Sequence, residues 1–225
     1  MKVLAIDTST MISSVAILED GQIIGDYSVN QVRTHSEMLM VMVRDLLDNL
    51  GLKLEDIDLF AVSKGPGSFT GLRIGVTIAK TLAQVFNKPI IGISSLEALA
   101  NSVYFDGLIV PVIDARAKRI FSGIYKREGK KLVLLEEETL TDIDSLGEYL
   151  RGQKAIILGD GAYKFREKLE DEQIFAGGHL DNCIARAMCI LAKEKYEAGF
   201  RDSYFDLSPN YLRKSQAELD FERKA

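Results

Sequence analysis

The strongest constraint on this chain is an internal repeat. The stretch VLAIDTSTMISSVAIL (3–18) can be laid over VPVIDARAKRIFSGIY (110–125). In both stretches an apolar strand ends at an aspartate, a polar turn follows and an apolar strand returns, so that Asp7 falls on Asp114. A match of this kind indicates that one structural unit is duplicated within the chain.

Each half of the sequence is predicted to begin with strands and to continue with alternating helices and strands. This order predicts an α/β fold of two similar lobes, with the polar turns after the first strands facing a cleft between them. The predicted lobes are residues 1–103 and a smaller second lobe at 104–204. The tail, about 205–225, is expected to pack back over the first lobe.

The segment SKGPGSFTGLRIGV (63–76) has the glycine content of a phosphate-binding loop. A Walker A loop needs lysine directly after its last glycine, and here leucine follows instead. A dinucleotide fingerprint needs G-x-G-x-x-G, but Gly65, Gly67 and Gly71 are spaced one residue too far apart. Anion binding at the helix N-terminus beside Arg73 stays open, although a turn that requires glycine is the favoured interpretation.

The helix that follows this loop carries a stripe of small residues. Gly71, Gly75, Ala79 and Ala83 recur every four residues and therefore lie on one face. Glycine inside a helix costs roughly 1 kcal/mol relative to alanine, so the stripe indicates close approach of another backbone. Either the stripe packs on the sheet of its own lobe, or one side of the helix meets that sheet while another meets a partner helix.

The helix before the loop is apolar on every side for nearly two turns. Its residues 38–43 are six consecutive apolar residues, three of them methionine, and six residues cover the whole helix circumference. If such a helix is exposed, its apolar surface usually marks an interface, which is the favoured interpretation. The alternative is that the helix is wholly buried in its own domain. The predicted interface residues on the two helices are Met38, Leu39, Met42, Val43, Leu46, Gly71, Leu72, Gly75, Ile78, Ala79 and Leu82.

The polar turns form a second candidate site. An aspartate at a strand end followed by hydroxyls or cations can hold a phosphate, although it more often only shapes a turn. Seven cations fall between Arg116 and Lys131, yet the net charge of −5 argues against a chain that binds nucleic acid by itself. The candidate residues for an anion or nucleotide are Asp7, Gly65, Gly67, Arg73, Asp114 and Arg116.

A metal centre or a catalytic group is not predicted. His35 and His179 are the only histidines, and Cys183 and Cys189 have the spacing of neither a metal knuckle nor a redox pair. Buried, reduced cysteines, with neither a signal peptide nor an apolar stretch long enough for a bilayer, predict a cytoplasmic protein. The serines lack the G-x-S-x-G context of a nucleophile.

Five segments occur in an order that points to a known family. They are AIDTST, THSEMLM, GPGSFTGLRIG, DARAKRIFSGIY and NYLRK, and together they resemble the TsaB (YeaZ) family. This family belongs with TsaD to the glycoprotease-like group in the actin, Hsp70 and sugar kinase superfamily. The resemblance implies two RNase-H-like lobes related by duplication. TsaD-like chains carry a His-x-x-x-His metal motif on the first helix; here His35 matches its first histidine, but Leu39 replaces its second.

The resemblance also implies a role. The chain would be a non-catalytic scaffold subunit that pairs with a TsaD-like enzyme through its first two helices and forms a homodimer when alone. A TsaE-like ATPase would join it, and tRNA would be contacted only through the complex, which transfers threonylcarbamoyl to adenosine 37 of tRNAs that read ANN codons. No cofactor would be required, and ATP or ADP would bind weakly at most. The alternative is a nucleotide-binding enzyme or a peptidase that uses the cleft.

Overall fold

The first lobe is built on a five-stranded mixed sheet in the order β3-β2-β1-β4-β5. The computed structural model describes residues 1–30, 35–169, 173–180 and 184–213. In chain order the elements of this lobe are β1 (Lys2–Asp7), β2 (Ile12–Glu19), β3 (Gln22–Asn30), α1 (His35–Leu50), β4 (Leu59–Gly65), α2 (Phe69–Val85), β5 (Ile90–Ser94) and α3 (Ser95–Asn101).

Both faces of the first sheet are covered. Strand β1 lies between β2, which is antiparallel to it, and β4, which is parallel. Its alternate residues Leu4 and Ile6 join one apolar cluster with α1 and α2, whereas Val3 and Ala5 join another. A strand buried on both faces needs a continuous apolar run, which is why VLAI precedes Asp7.

The second lobe repeats this plan. Its elements are β6 (Leu108–Asp114), β7 (Arg119–Glu128), β8 (Lys131–Asp142), α4 (Ile143–Leu150), β9 (Ala155–Leu158), α5 (Asp160–Lys164), β10 (Ile174–Phe175) and α6 (Ile184–Glu197). The sheet order is β8-β7-β6-β9-β10, with β6 antiparallel to β7 and parallel to β9. The two topologies are identical, so the predicted α/β fold of two RNase-H-like lobes related by duplication is confirmed.

Two helices form the layer between the sheets. Helix α6 packs against β1 and β2 of the first sheet, although it belongs to the second lobe in sequence, and α3 packs against both α6 and β6. The apolar cluster around these helices contains residues of both sheets. The thiol of Cys189 on α6 lies near the carbonyl oxygens of Val3 (3.6 Å) and Ala16 (3.4 Å). The lobes therefore share a hydrophobic core.

The second lobe differs locally from the sequence prediction. Helix α5 begins at Asp160, immediately after Gly159. The turn between β9 and α5 is a single residue, Gly159, whose φ of 103° is a conformation that favours glycine. Strand β10 was not predicted, because two residues are too few for a strand periodicity to be recognised.

Residues 202–213, here called the C-terminal strap, run over the first lobe and reach the second. The Asp202 N–H donates to Ile90 O (3.0 Å), and the Asn210 N–H donates to Lys64 O (2.6 Å). Arg213 then donates to Ala115 O in the turn between β6 and β7 (2.9 Å). The strap thus joins the glycine loop of one lobe to the polar turn of the other. Residues 214–225 of the predicted tail lie outside the described residues.

Candidate functional site

The two polar turns have the same local geometry. Asp7 ends β1, and its Oδ1 accepts the N–H of Ser9 (3.0 Å). Asp114 ends β6, and its Oδ1 accepts the N–H of Arg116 (2.9 Å). Each aspartate thus fixes its turn by bonding the backbone two residues later. The duplication therefore preserves a side-chain role as well as a topology.

Asp7 is buried, with 1% of its surface exposed. Burial raises the pKa of this carboxyl to about 6, although the hydrogen bond from the Ser9 backbone N–H favours the charged form. Within the described part of the chain, Asp7 Oδ2, Ser9 Oγ and Ser14 Oγ are buried without hydrogen-bond partners. A polar ligand at this turn would supply the hydrogen bonds that these three oxygens lack.

The glycine loop packs directly on this turn. A Cβ on Gly67 would overlap Ser9 O, and a Cβ on Gly71 would overlap Thr8 O. The Thr8 hydroxyl donates to Gly71 O (2.7 Å), and the Ser68 N–H donates to Ser9 O (2.6 Å). These glycines are required because the backbones of loop and turn lie against each other, as the turn interpretation predicts.

The small-residue stripe of α2 therefore faces its own lobe. A Cβ on Gly75 would overlap Thr8 Oγ1, and both Ala79 and Ala83 are fully buried in the core. The idea that this stripe meets a partner helix is wrong for these residues, because the sheet and the first polar turn already occupy that side.

Most of the other predicted interface residues are also buried within the first lobe. The apolar run on α1 arises because one side of the helix lies over the sheet and another contacts α2. Met38 and Ile78 are only half-buried. The residues that the lobe buries in its own core are Leu39, Met42, Val43, Leu46, Leu72 and Leu82.

An apolar surface nevertheless remains on these two helices. Met40 and Val85 are exposed, with Val85 69% accessible, and Val41, Ile74 and Ile78 are half-exposed. We call these five residues the α1–α2 apolar face. Beside it, a groove of about 500 Å³ is lined mainly by apolar side chains, Met40, Val41 and Leu52 among them.

Four residues of this face were missed in the sequence analysis. Ile74, Ile78 and Val85 are spaced by four and seven residues, which places them on one side of α2, off the glycine stripe. That spacing was the available signal. It was overlooked because the small-residue stripe, which turned out to be the core side, is more regular.

The second polar turn is cationic. Asp114 forms an ion pair with Lys164 (2.6 Å), and its N–H donates to Asp160 Oδ1 (3.0 Å). Arg116 and Lys118 are exposed and adopt left-handed backbone angles, with φ of 66° and 63°. The second turn thus presents side-chain charge to solvent, unlike the buried first turn.

The remaining predicted anion-site residues belong to different clusters. Arg73 lies 4.2 Å from the ring of Phe69 and donates to the Tyr211 hydroxyl of the strap (3.0 Å). Gly65, with φ of 102°, lies against the backbone of Asn210. The strap therefore links Arg73 to the cationic turn, whereas Asp7 is enclosed beneath the glycine loop.

The structure also bears on the metal and thiol predictions. Among the described residues, no three His, Cys, Asp or Glu side chains come together as metal ligands. Leu39, at the position of the second histidine of the TsaD motif, is fully buried in the apolar cluster, and the His35 side chain lies outside the described residues. Burial raises the pKa of the Cys189 thiol to about 12, and Cys183 lies outside the described residues. No helix in the described ranges is long and apolar enough to span a membrane.

Comparison with known proteins connects this architecture to a family. A family model described as TsaD: tRNA N6-adenosine threonylcarbamoyltransferase matches residues 22–221. The tRNA threonylcarbamoyladenosine biosynthesis protein TsaB of Bacillus subtilis is 34% identical, over 97% of this chain and 96% of that protein. The chain belongs to the TsaB (YeaZ) family. The resemblance seen in the sequence is thereby confirmed.

Solved structures agree with this assignment. YeaZ from Pseudomonas aeruginosa superposes with a TM-score of 0.82 at 28% identity, covering 93% of this chain and 99% of that structure. Component A of the Acidaminococcus fermentans (R)-2-hydroxyglutaryl-CoA dehydratase shares the fold, with a TM-score of 0.54 at 12% identity over 88% of this chain and 99% of that one. The TsaB (YeaZ) chain thus shares its overall fold with both proteins.

Proposed function

We propose that this chain is a non-catalytic subunit in tRNA threonylcarbamoyladenosine biosynthesis that pairs with a TsaD-like catalytic subunit through its α1–α2 apolar face. Membership of the TsaB (YeaZ) family supports the pathway. The observation that carries the pairing is the exposed apolar surface of Met40, Val41, Ile74, Ile78 and Val85. Helices α1 and α2 pack against each other, so these apolar side chains lie on neighbouring elements, as expected of an interaction site.

The pairing surface replaces the one inferred from the sequence. The residues of the glycine stripe do not contact the partner in this proposal. They hold α2 against the first polar turn and so fix the orientation of Ile74 and Ile78. When the chain is alone, the same face pairs with a second copy. A TsaE-like ATPase and tRNA join through the complex, in the cytoplasm.

A scaffold role accounts for the chemistry of the chain. Leu39 supplies no ligand atom where a TsaD-like chain has its second histidine. The glycine loop is occupied by its contacts with Thr8 and Ser9, which leaves its backbone less free to cradle a phosphate. The proposal therefore requires no cofactor and allows only weak ATP or ADP binding.

The test is a matched pair of charge insertions. Ile78→Glu places a carboxylate within the face, and burial of this unpaired charge by a partner costs several kcal/mol. We expect binding of a TsaD-like subunit to weaken at least 100-fold, measured by titration and by size-exclusion chromatography with light scattering. Ile190→Glu is the control, because Ile190 is 40% exposed on α6, outside the face. It should pair as the wild type does.

Thermal melts distinguish a variant that has lost the interface from a variant that does not fold. Both variants should melt close to the wild type, since Ile78 and Ile190 already reach solvent. Ala79→Glu, by contrast, buries its charge in the lobe and should not fold. A folded Ile78→Glu chain that pairs as tightly as the wild type would rule out the α1–α2 apolar face as the pairing surface. A wild-type chain that retains no TsaD-like subunit would sink the pairing itself.

A further inference from the structure

Three arginines from two distant segments of the sequence lie around Ala115. Arg213 of the strap donates to Ala115 O (2.9 Å), and Arg116 is the next residue along the chain. The Ala115 N–H donates to Arg119 O (3.0 Å), which closes the turn between β6 and β7. The fold thus brings the Arg213 side chain to the backbone of the turn that carries Arg116 and Arg119.

The carboxylates near this turn are engaged elsewhere. Asp114 forms an ion pair with Lys164, and Asp142, opposite Arg119 on β8, accepts both the N–H and the hydroxyl of Ser145. Within the described ranges, none of the three arginines forms an ion pair. Burial, together with the charges of Arg119 and Arg116, lowers the pKa of Arg213, as expected where cations crowd one another.

Aromatic rings lie along the same surface. Tyr211, two residues before Arg213, is 40% exposed and stacks on Phe69, with ring centroids 4.3 Å apart. Arg73 lies over the Phe69 ring. Guanidinium groups bind phosphate in a bidentate manner, and exposed rings stack on nucleic acid bases. Cations beside exposed rings are the combination that binds single-stranded nucleic acid, since the cations contact phosphates and the rings contact bases.

We propose that Arg116, Arg119 and Arg213 form a binding site for the phosphate backbone of RNA, with the Tyr211–Phe69 stack beside it for an unpaired base. This inference rests on the proposed function, because that function brings tRNA to the complex. It also changes the expectation that the chain contacts tRNA only through its partner. The overall charge of −5 does not prevent such binding, because phosphates are recognised by local charge at a screening length of about 10 Å.

The experiment compares two double substitutions that remove the same charge. Arg116→Gln with Arg119→Gln neutralises the cluster, whereas Lys130→Gln with Lys131→Gln neutralises exposed lysines at the far end of the β7–β8 hairpin. The probe is a fluorescently labelled, unmodified tRNA transcript, titrated with the full chain alone and with the chain plus a TsaD-like subunit. Binding is measured by anisotropy at several salt concentrations between roughly 50 and 200 mM.

The variant that lacks both arginines should bind RNA about tenfold more weakly in 0.1 M salt. Its slope of log affinity against log salt concentration should become shallower by about two. The lysine pair should stay within about twofold of the wild type. Equal losses in both pairs, an unchanged arginine pair, or no RNA binding by either wild-type preparation would overturn the inference.

Pairing is measured separately, by size-exclusion chromatography without RNA. An arginine pair that loses the TsaD-like subunit instead of RNA would identify the cluster as a protein contact and overturn the RNA assignment. A chain that pairs normally, but whose RNA affinity ignores the arginines, refutes this inference and leaves the proposed function standing. A chain that does not pair, but whose RNA affinity depends on the arginines, refutes the proposed pairing and supports this inference.

Discussion

Asp7 and Asp114 occupy equivalent residues of the two lobes, and burial gives them different properties. Each accepts the backbone N–H two residues later. Asp7 is enclosed by the glycine loop, whereas the Asp114 side chain remains 21% exposed and pairs with Lys164. A charge on Asp7 is therefore held where water cannot stabilise it, which is a direct cost to the fold.

This cost predicts that Asp7→Asn stabilises the protein at neutral pH. The pKa of Asp7 is about 6 in the folded chain and 3.8 in the ordinary case, so the folded state binds the proton more tightly. Stability contributed by this group is therefore fully present below about pH 4, falls as pH rises toward 6 and stays low above it. Asparagine carries no charge and keeps the acceptor for Ser9. We expect a gain of at most about 3 kcal/mol in unfolding free energy at pH 7.5, which vanishes near pH 4, by urea denaturation.

The control is the same change at the equivalent residue. Asp114→Asn keeps the turn bond to Arg116 but loses the ion pair with Lys164, and exposed pairs contribute only about 0–1 kcal/mol. It should therefore be neutral or slightly destabilising. An Asp7→Asn chain that is less stable than the wild type at pH 7.5 would show that the carboxylate makes a favourable charged contact in the fold.

At the scale of elements, α2 shows why a small-residue stripe cannot by itself identify a partner. Its glycines and alanines are required by the first polar turn and by the sheet, so the stripe belongs to the lobe. The residues available to another protein lie to one side, at Ile74, Ile78 and Val85. Under the proposed function, close packing and association thus use different sides of the same helix.

Two helix glycines with different surroundings test this division. Gly71→Ala would push a Cβ into Thr8 O, and overpacking of this kind costs about 1–3 kcal/mol. Gly147→Ala on α4 would place its Cβ 3.5 Å from Lys168 O, an ordinary contact, so helix propensity should stabilise that variant by about 0.5–1 kcal/mol. Urea unfolding followed by circular dichroism measures both. A Gly71→Ala chain as stable as the wild type would mean that the stripe is open to a partner after all.

The duplication and most elements were predictable, because strand ends at Asp7 and Asp114 and caps such as Ser94 are encoded locally. The apolar face was not, because Met40 and Leu39 look alike in sequence and only the neighbouring sheet decides which one is buried. The arginine cluster depends on a contact between Arg213 and Ala115, 98 residues apart. A contact of that separation leaves no periodic signal in a single sequence.

At the scale of the whole molecule, the two lobes are joined through their interior. The core cluster around α3 and α6 includes Val3 of the first sheet and Ile109 of the second. Across the lobe boundary, Ser94 donates to the Glu138 carboxylate, which also accepts the Tyr125 hydroxyl. The lobes that the sequence separates near residue 103 should therefore unfold together.

This coupling predicts one calorimetric transition that two distant core changes shift as a whole. Met188→Ala on α6 removes a fully buried side chain from the shared cluster, and Ile143→Ala on α4 removes one from a cluster made only of second-lobe residues. Each cavity costs about 2–5 kcal/mol, which lowers Tm by roughly 4–20 °C in a chain of this size. Independent lobes would respond differently, because Met188→Ala would lower the melting of one lobe and Ile143→Ala that of the other. A split transition in either variant would therefore contradict a shared core. A single shifted peak in both would mean that the α1–α2 apolar face and the arginine cluster belong to one cooperative unit.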